Sequence, residues 1–145
     1  MPIQYIHDEL LSLVFFMVDG KLTVSDLVRH HYSTSGNIDY HPGLRLIYDI
    51  TRAEIEFSLE DLYTNHSITE QEFEQRGYLL PVAIISNNSV ATLVSKTIHL
   101  FGSRLPLKLA AFSTLADALS WLNMATELSE VEQLQKKLAI MDKNK

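Results

Sequence analysis

Six histidines, 18 acidic residues, 12 basic residues and no cysteine make up the reactive inventory of these 145 residues. The missing thiol excludes disulfide frameworks, thiolate zinc sites, iron–sulfur clusters and cysteine nucleophiles. His30 and His31 are adjacent, and neighbours on a helix point about 100° apart, so they cannot close on one metal ion as the i, i+4 pairs of zinc motifs do. Asp26 and His30 do stand four apart, which predicts an ion pair on the solvent side of a helix. His7, His41, His66 and His99 are scattered, and no H-x-x-E-H or G-x-S-x-G pattern marks a hydrolase. Gly20, Gly36, Gly43, Gly77 and Gly102 stand singly, so there is no G-x-G-x-x-G or G-K-[ST] loop to cradle a phosphate. No metal, cofactor or catalytic group is expected; an enzyme would have to use Asp49, Arg52 and a histidine.

Polar residues at the junctions of strands and helices are the remaining chemistry, and the elements decide whether they meet. Ile3–His7 and Leu10–Val18 are β-rich runs that predict an opening antiparallel hairpin, closed by Asp19-Gly20. Thr23-Val24-Ser25-Asp26 has the form of a capping box and predicts a helix to about His31, with Ser33 to Asn37 as the loop that ends it. Leu44–Ile50, bounded by Thr51-Arg52, reads as a central strand. Ser58-Leu59-Glu60-Asp61 repeats the capping signature, a further start lies near Ser67, and Gly77 stops that region. Leu79–Ser86 and Leu105–Phe112 are two more buried strands, separated by a helical pattern from Asn87 to Gly102. Thr114 caps a helix through Leu122, and a last helix from about Thr126 to Asp142 carries Val131, Leu134, Leu138 and Met141 on one stripe.

Strands alternating with helices predict an α/β fold: a mixed, mostly parallel sheet of about five strands with crossover helices, an opening hairpin and an extra C-terminal helix. With 46% apolar and 21% charged residues, the chain reads as one domain over residues 1–145. A domain of this size buries roughly 68–70% of its unfolded surface and needs no staples. The net charge of -6 repels phosphate backbones and argues against nucleic acid as partner. The start of the chain lacks a basic stretch before an apolar one, and Leu13–Val18 is too short to span a bilayer, so a cytoplasmic protein is expected.

Ligands of open α/β sheets bind at the carboxyl ends of the strands, where helix N-termini gather. That edge should present Asp19, Asp49, Arg52, Ser58, Ser86, Asn87, Asn88, Ser89, Ser113 and Thr114. Several are expected as caps, and Asp49 could simply pair with Arg52. Capped N-termini also aim N–H groups outward, which makes Asp49, Arg52, Ser58, Asn87, Asn88, Ser89 and Thr114 a candidate edge for an anion or a partner's acidic residue.

The element order resembles the STAS/SpoIIAA-like family, the fold of anti-sigma-factor antagonists, in its divergent branch related to Sec14-type lipid-binding domains. The resemblance covers Ile3 to about Asn123. It is carried by Gly20-Lys21-Leu22-Thr23, Leu46-Ile47-Tyr48-Asp49-Ile50-Thr51-Arg52-Ala53, Pro81-Val82-Ala83-Ile84-Ile85 and Ala116-Asp117-Ala118-Leu119-Ser120-Trp121-Leu122. Phospho-switch members of the family carry Asp-Ser-Ser-Gly at a helix start, with the second serine phosphorylated; here the matching place reads Phe57-Ser58-Leu59-Glu60. A leucine accepts no phosphate, and Glu60 lacks glycine's freedom and repels an incoming phosphate. Ser58 is therefore expected as an N-cap, a role that contributes about 1 kcal/mol.

The resemblance and the missing catalytic motifs imply a non-enzymatic binding or regulatory module that meets a protein partner through the carboxyl edge. The alternative is a carrier of an apolar or lipid-like molecule between helices and sheet, with Tyr63, Phe73 and Tyr78 as the pocket residues. The stripe on the last helix suits docking on the domain itself or, as a homodimer, on a second copy.

Overall fold

Six consecutive apolar side chains, Leu13 to Val18, are satisfied only by a strand covered on both faces. In the computed structural model none of the six is more than 4% exposed. The structure describes residues 2–58, 61, 80–87, 92, 95–96, 99 and 107–143. Five strands, β1 (Ile3–Asp8), β2 (Leu13–Leu22), β3 (Arg45–Ile55), β4 (Leu80–Ile85) and β5 (Leu107–Phe112), lie side by side in chain order. β1 and β2 run antiparallel, and β2 through β5 run parallel. The carboxyl ends of four strands thus share one edge, as the alternation of elements implied.

Helix α1 (Val24–Asn37) covers one face of the sheet, where Val14, Phe16, Val18, Leu46 and Ile50 meet Leu27 and Ile38. Helices α2 (Leu115–Trp121) and α3 (Leu128–Lys143) cover the other. There Leu13, Phe15, Met17, Ile47 and Ile85 pack on Leu119, Val131, Leu134 and Leu138. A short 3₁₀ turn, Ala125–Glu127, joins α2 to α3. No helix among the described residues is long and apolar enough to cross a membrane.

Four boundaries differ from the sequence reading. Leu10 to Ser12 form a turn, not the start of β2; Leu11 N–H donates to Asp8 Oδ1 at 3.0 Å and Ser12 takes φ 49°. β2 does not close at Asp19-Gly20. Gly20 supplies φ +85°, a conformation that strains side chains, and the pairing continues through Gly20 opposite Ala53 to Leu22 opposite Ile55. β3 likewise runs past Thr51-Arg52 to Ile55. α1 continues through Ser33 to Asn37 because its polar residues bond backward inside the helix: Thr34 Oγ1 donates to the His30 carbonyl at 2.9 Å, and Asn37 Nδ2 to that of Ser33 at 2.6 Å. Buried Ile38 then anchors its end.

The ladder of β2 and β3 contains one irregularity. Met17 faces Asp49, but Asp19 faces Arg52, so Val18 on β2 opposes two residues, Ile50 and Thr51, on β3. An extra residue reverses which side chains face which way. Before it, Leu46, Tyr48 and Ile50 face α1; after it, Ala53 and Ile55 do, while β2 keeps Val14, Phe16, Val18 and Leu22 on that side.

Candidate functional site

Asp49 initiates the irregularity. Its Oδ1 accepts from Thr51 N–H at 3.0 Å, the local bond by which an aspartate turns the chain two residues on, and from Thr51 Oγ1 at 2.6 Å. Its Oδ2 accepts from Gln135 Nε2 of α3 at 3.0 Å. Only 4% of Asp49 is exposed, so three neutral donors take the place of water around the carboxylate.

Because of the extra residue, Arg52 lies on the α3 face with Asp49 instead of behind the sheet. The two do not pair. Arg52 Nη1 stands 3.6 Å from Asp19 Oδ2, with both side chains partly in solvent. Met17, Asp49, Thr51 and Arg52 from the sheet, with Gln135, Lys136 and Ala139 from α3, line an open cleft of about 250 Å³. Asn87, just past β4, ties the rim: its Nδ2 donates to the Thr51 carbonyl at 3.0 Å. Ser86 is buried, and its N–H donates to the Phe112 carbonyl at 3.0 Å.

Other expected edge residues stand apart. Ser58 follows the protruding end of β3, about 20 Å along the strand from Asp49 to Ile55 and then beyond. It forms both bonds of a capping box with Asp61: Ser58 N–H donates to Asp61 Oδ2 at 2.9 Å, and Asp61 N–H to Ser58 Oγ at 3.2 Å. Thr114 caps α2, accepting from Asp117 N–H at 3.2 Å. Asn88, Ser89 and the pocket candidates Tyr63, Phe73 and Tyr78 lie outside the described residues.

The catalytic alternative is not assembled around His30. That ring lies across the sheet from Asp49, 7% exposed, with Nε2 3.0 Å from Tyr48 Oη and the ring edge-on to Phe16 at 5.0 Å. Burial pushes the Tyr48 hydroxyl well above the ordinary tyrosine range, so it stays protonated. The expected pair of Asp26 with His30 gives way to a capping box. Asp26 accepts from Thr23 N–H at 2.9 Å and sits 3.9 Å from Arg29, and the Thr23 N–H bond chiefly holds its carboxyl below the usual 3.8.

The residue reading missed Thr51, Gln135 and Lys136. Gln135 stands four residues after buried Val131, on the flank of the α3 stripe, a place where a polar side chain signals a partner on the sheet. Met141, expected within the stripe, is 47% exposed.

No protein-family model matches the chain, and no curated protein matches it. Among solved structures it is similar to an uncharacterized protein of the DUF3478 family with a SpoIIAA-like fold, from Shewanella loihica PV-4. The two share 21% identity and a TM-score of 0.53 over 83% of this chain and 93% of that one. The fold is therefore SpoIIAA-like; the likeness says nothing of Sec14-type domains.

Proposed function

We propose that this SpoIIAA-like chain is a non-enzymatic binding or regulatory module, and that a protein partner contacts it at the cleft between the carboxyl end of β3 and α3. The observation that carries this reading is the extra residue at Ile50–Thr51. It moves Arg52 to the face of Asp49 and Lys136, and so builds a polar, solvent-open recess out of a strand end. Small-molecule sites are concave and mostly apolar, whereas this recess is open and lined chiefly by polar side chains. Asp49 is engaged structurally, its carboxylate accepting two bonds from Thr51 and one from Gln135. Arg52 and Lys136 line the cleft with basic side chains that suit a partner's carboxylates.

Affinity capture from a native lysate, with the wild type beside Arg52→Glu, tests it. The expected result is a stoichiometric partner whose recovery falls about tenfold in the variant, the loss of one well-placed charge contact. The variant's melting temperature should stay near that of the wild type, because Arg52 and Asp19 form an exposed pair. Recovery of no partner, or equal recovery by both proteins, would overturn the proposal. A fatty acid recovered in place of a protein would give the chain to the carrier reading.

A further inference from the structure

The inner stripe of α3 is consumed by its own sheet, which leaves the outer face to be explained. Val131, Leu134 and Leu138 are buried, while Glu130, Gln133, Lys137 and Ile140 are exposed at three- and four-residue steps on a flank roughly 110° round the helix from that stripe. Ile140 is 59% and Met141 47% exposed, a pair of large apolar side chains at one end of a charged helix. The charge is divided along the axis. Glu130 and Glu132 fall in the first half; Lys136 and Lys137 lead the second, whose end reads Asp142-Lys143. Glu130 and Lys137 make no ion pair among the described residues.

We infer that the outer face of α3 pairs with α3 of a second copy, antiparallel, about a two-fold axis near Gln133. Such an axis places residue i against residue j and j against i, so one contact is made twice. Glu130 lies three residues before the axis and Lys137 four after it, so each Glu130 meets the other copy's Lys137. A parallel pairing would set Glu on Glu and Lys on Lys. At 1.5 Å per residue Ile140 lies about 10 Å from the axis, and the Ala125–Thr126 turn about 12 Å on the other side. The exposed Ile140 and Met141 of one copy therefore cover that turn on the other, near Trp121, which is 39% exposed at the end of α2 in the same helical layer. The macrodipole also favours acid first and base last along a helix, but it gives no reason for Ile140 and Met141 to face water. A contact one helix wide falls below the ~800 Å² per partner of a standard interface, so the dimer is a weak one.

Sedimentation equilibrium of the full chain at low salt tests the pairing. The wild type should associate as a dimer, weakening with added salt. Lys137→Glu replaces two attractions by two repulsions and should raise the dissociation constant about tenfold. Ile140→Ser should raise it similarly. Combining Glu130→Lys with Lys137→Glu should restore the wild-type value to within about threefold, because the swapped charges still meet across the axis. A wild type that stays monomeric at about 1 mM would overturn the inference. So would a dimer whose constant ignores Lys137→Glu, or a monomer that instead co-sediments with phosphatidylserine vesicles, which would give the face to a lipid surface.

Discussion

The two halves of the β2–β3 ladder are one ribbon built to two plans. From Leu13 to Val18 and from Leu46 to Ile50, side chains are buried or half-buried on both faces and apolar or aromatic except at Asp49, flanked by other strands and covered by helices above and below. From Asp19 to Leu22 and from Thr51 to Ile55, β4 no longer pairs with β3, and polar and apolar residues alternate. The first half is held by packing; the second by ladder bonds, Gly20 and a few polar contacts. Between them sits the extra residue on β3, so the proposed contact face begins where two-sided burial stops.

Substitutions should separate the halves. Phe16→Ala removes a ring that is 0% exposed and stacked 4.3 Å from Tyr48, and should cost about 3–5 kcal/mol by denaturant unfolding. Ile55→Ala, on the half-buried extension, should cost only about 1–2 kcal/mol. Equal costs would mean that the extension is as fully packed as the core.

An effect below that of Phe16→Ala is expected at the junction itself. Asp49→Ala leaves Thr51 N–H, Thr51 Oγ1 and Gln135 Nε2 without their acceptor, and should destabilise by about 1–3 kcal/mol. Hydrogen exchange at Thr51 to Ile55 should rise more than at Leu46 to Asp49, because the carboxylate pins the strand where β4 ends. The same protection in both halves would remove Asp49 from that role.

The smallest change lies where the extension feeds α1. Thr23→Ala should cost about 1 kcal/mol at neutral pH by breaking the capping box with Asp26. The Asp26 carboxyl titrates below its ordinary 3.8 in the folded chain, so the unfolded chain takes up the proton first. The contribution of this carboxylate is therefore complete above that ordinary value and fades as pH falls through the lowered one. Unfolding curves of the wild type and Asp26→Asn should converge in acid; a constant gap would contradict the sign.

Much of the fold was legible. Continuous apolar runs marked the buried strand cores, and Thr23, Ser58 and Thr114 were read as caps from local spacing. The extension was legible too and was overlooked: Arg52, Glu54 and Glu56 alternate with Ala53, Ile55 and Phe57, the period of a one-sided strand, but Thr51-Arg52 reads as a terminator. Ser33 to Asn37 has the composition of a loop, and only the backward side-chain bonds and the burial of Ile38 keep it helical. For the site, Asp49, Arg52 and Asn87 were visible as edge residues, whereas Gln135 lies 86 positions from the carboxylate it holds.

Residue order was enough to settle what depends on neighbours in the chain: which runs are strands, where helices are capped, and that thiol and phosphate-loop chemistry is absent. Folding settled what depends on two segments at once. Whether Arg52 stands beside Asp49 or behind it follows from a count of one residue on β2, Val18, against two on β3, Ile50 and Thr51. No single strand carries that count, because register is a relation between strands, and one residue of difference turns every side chain beyond it to the other face.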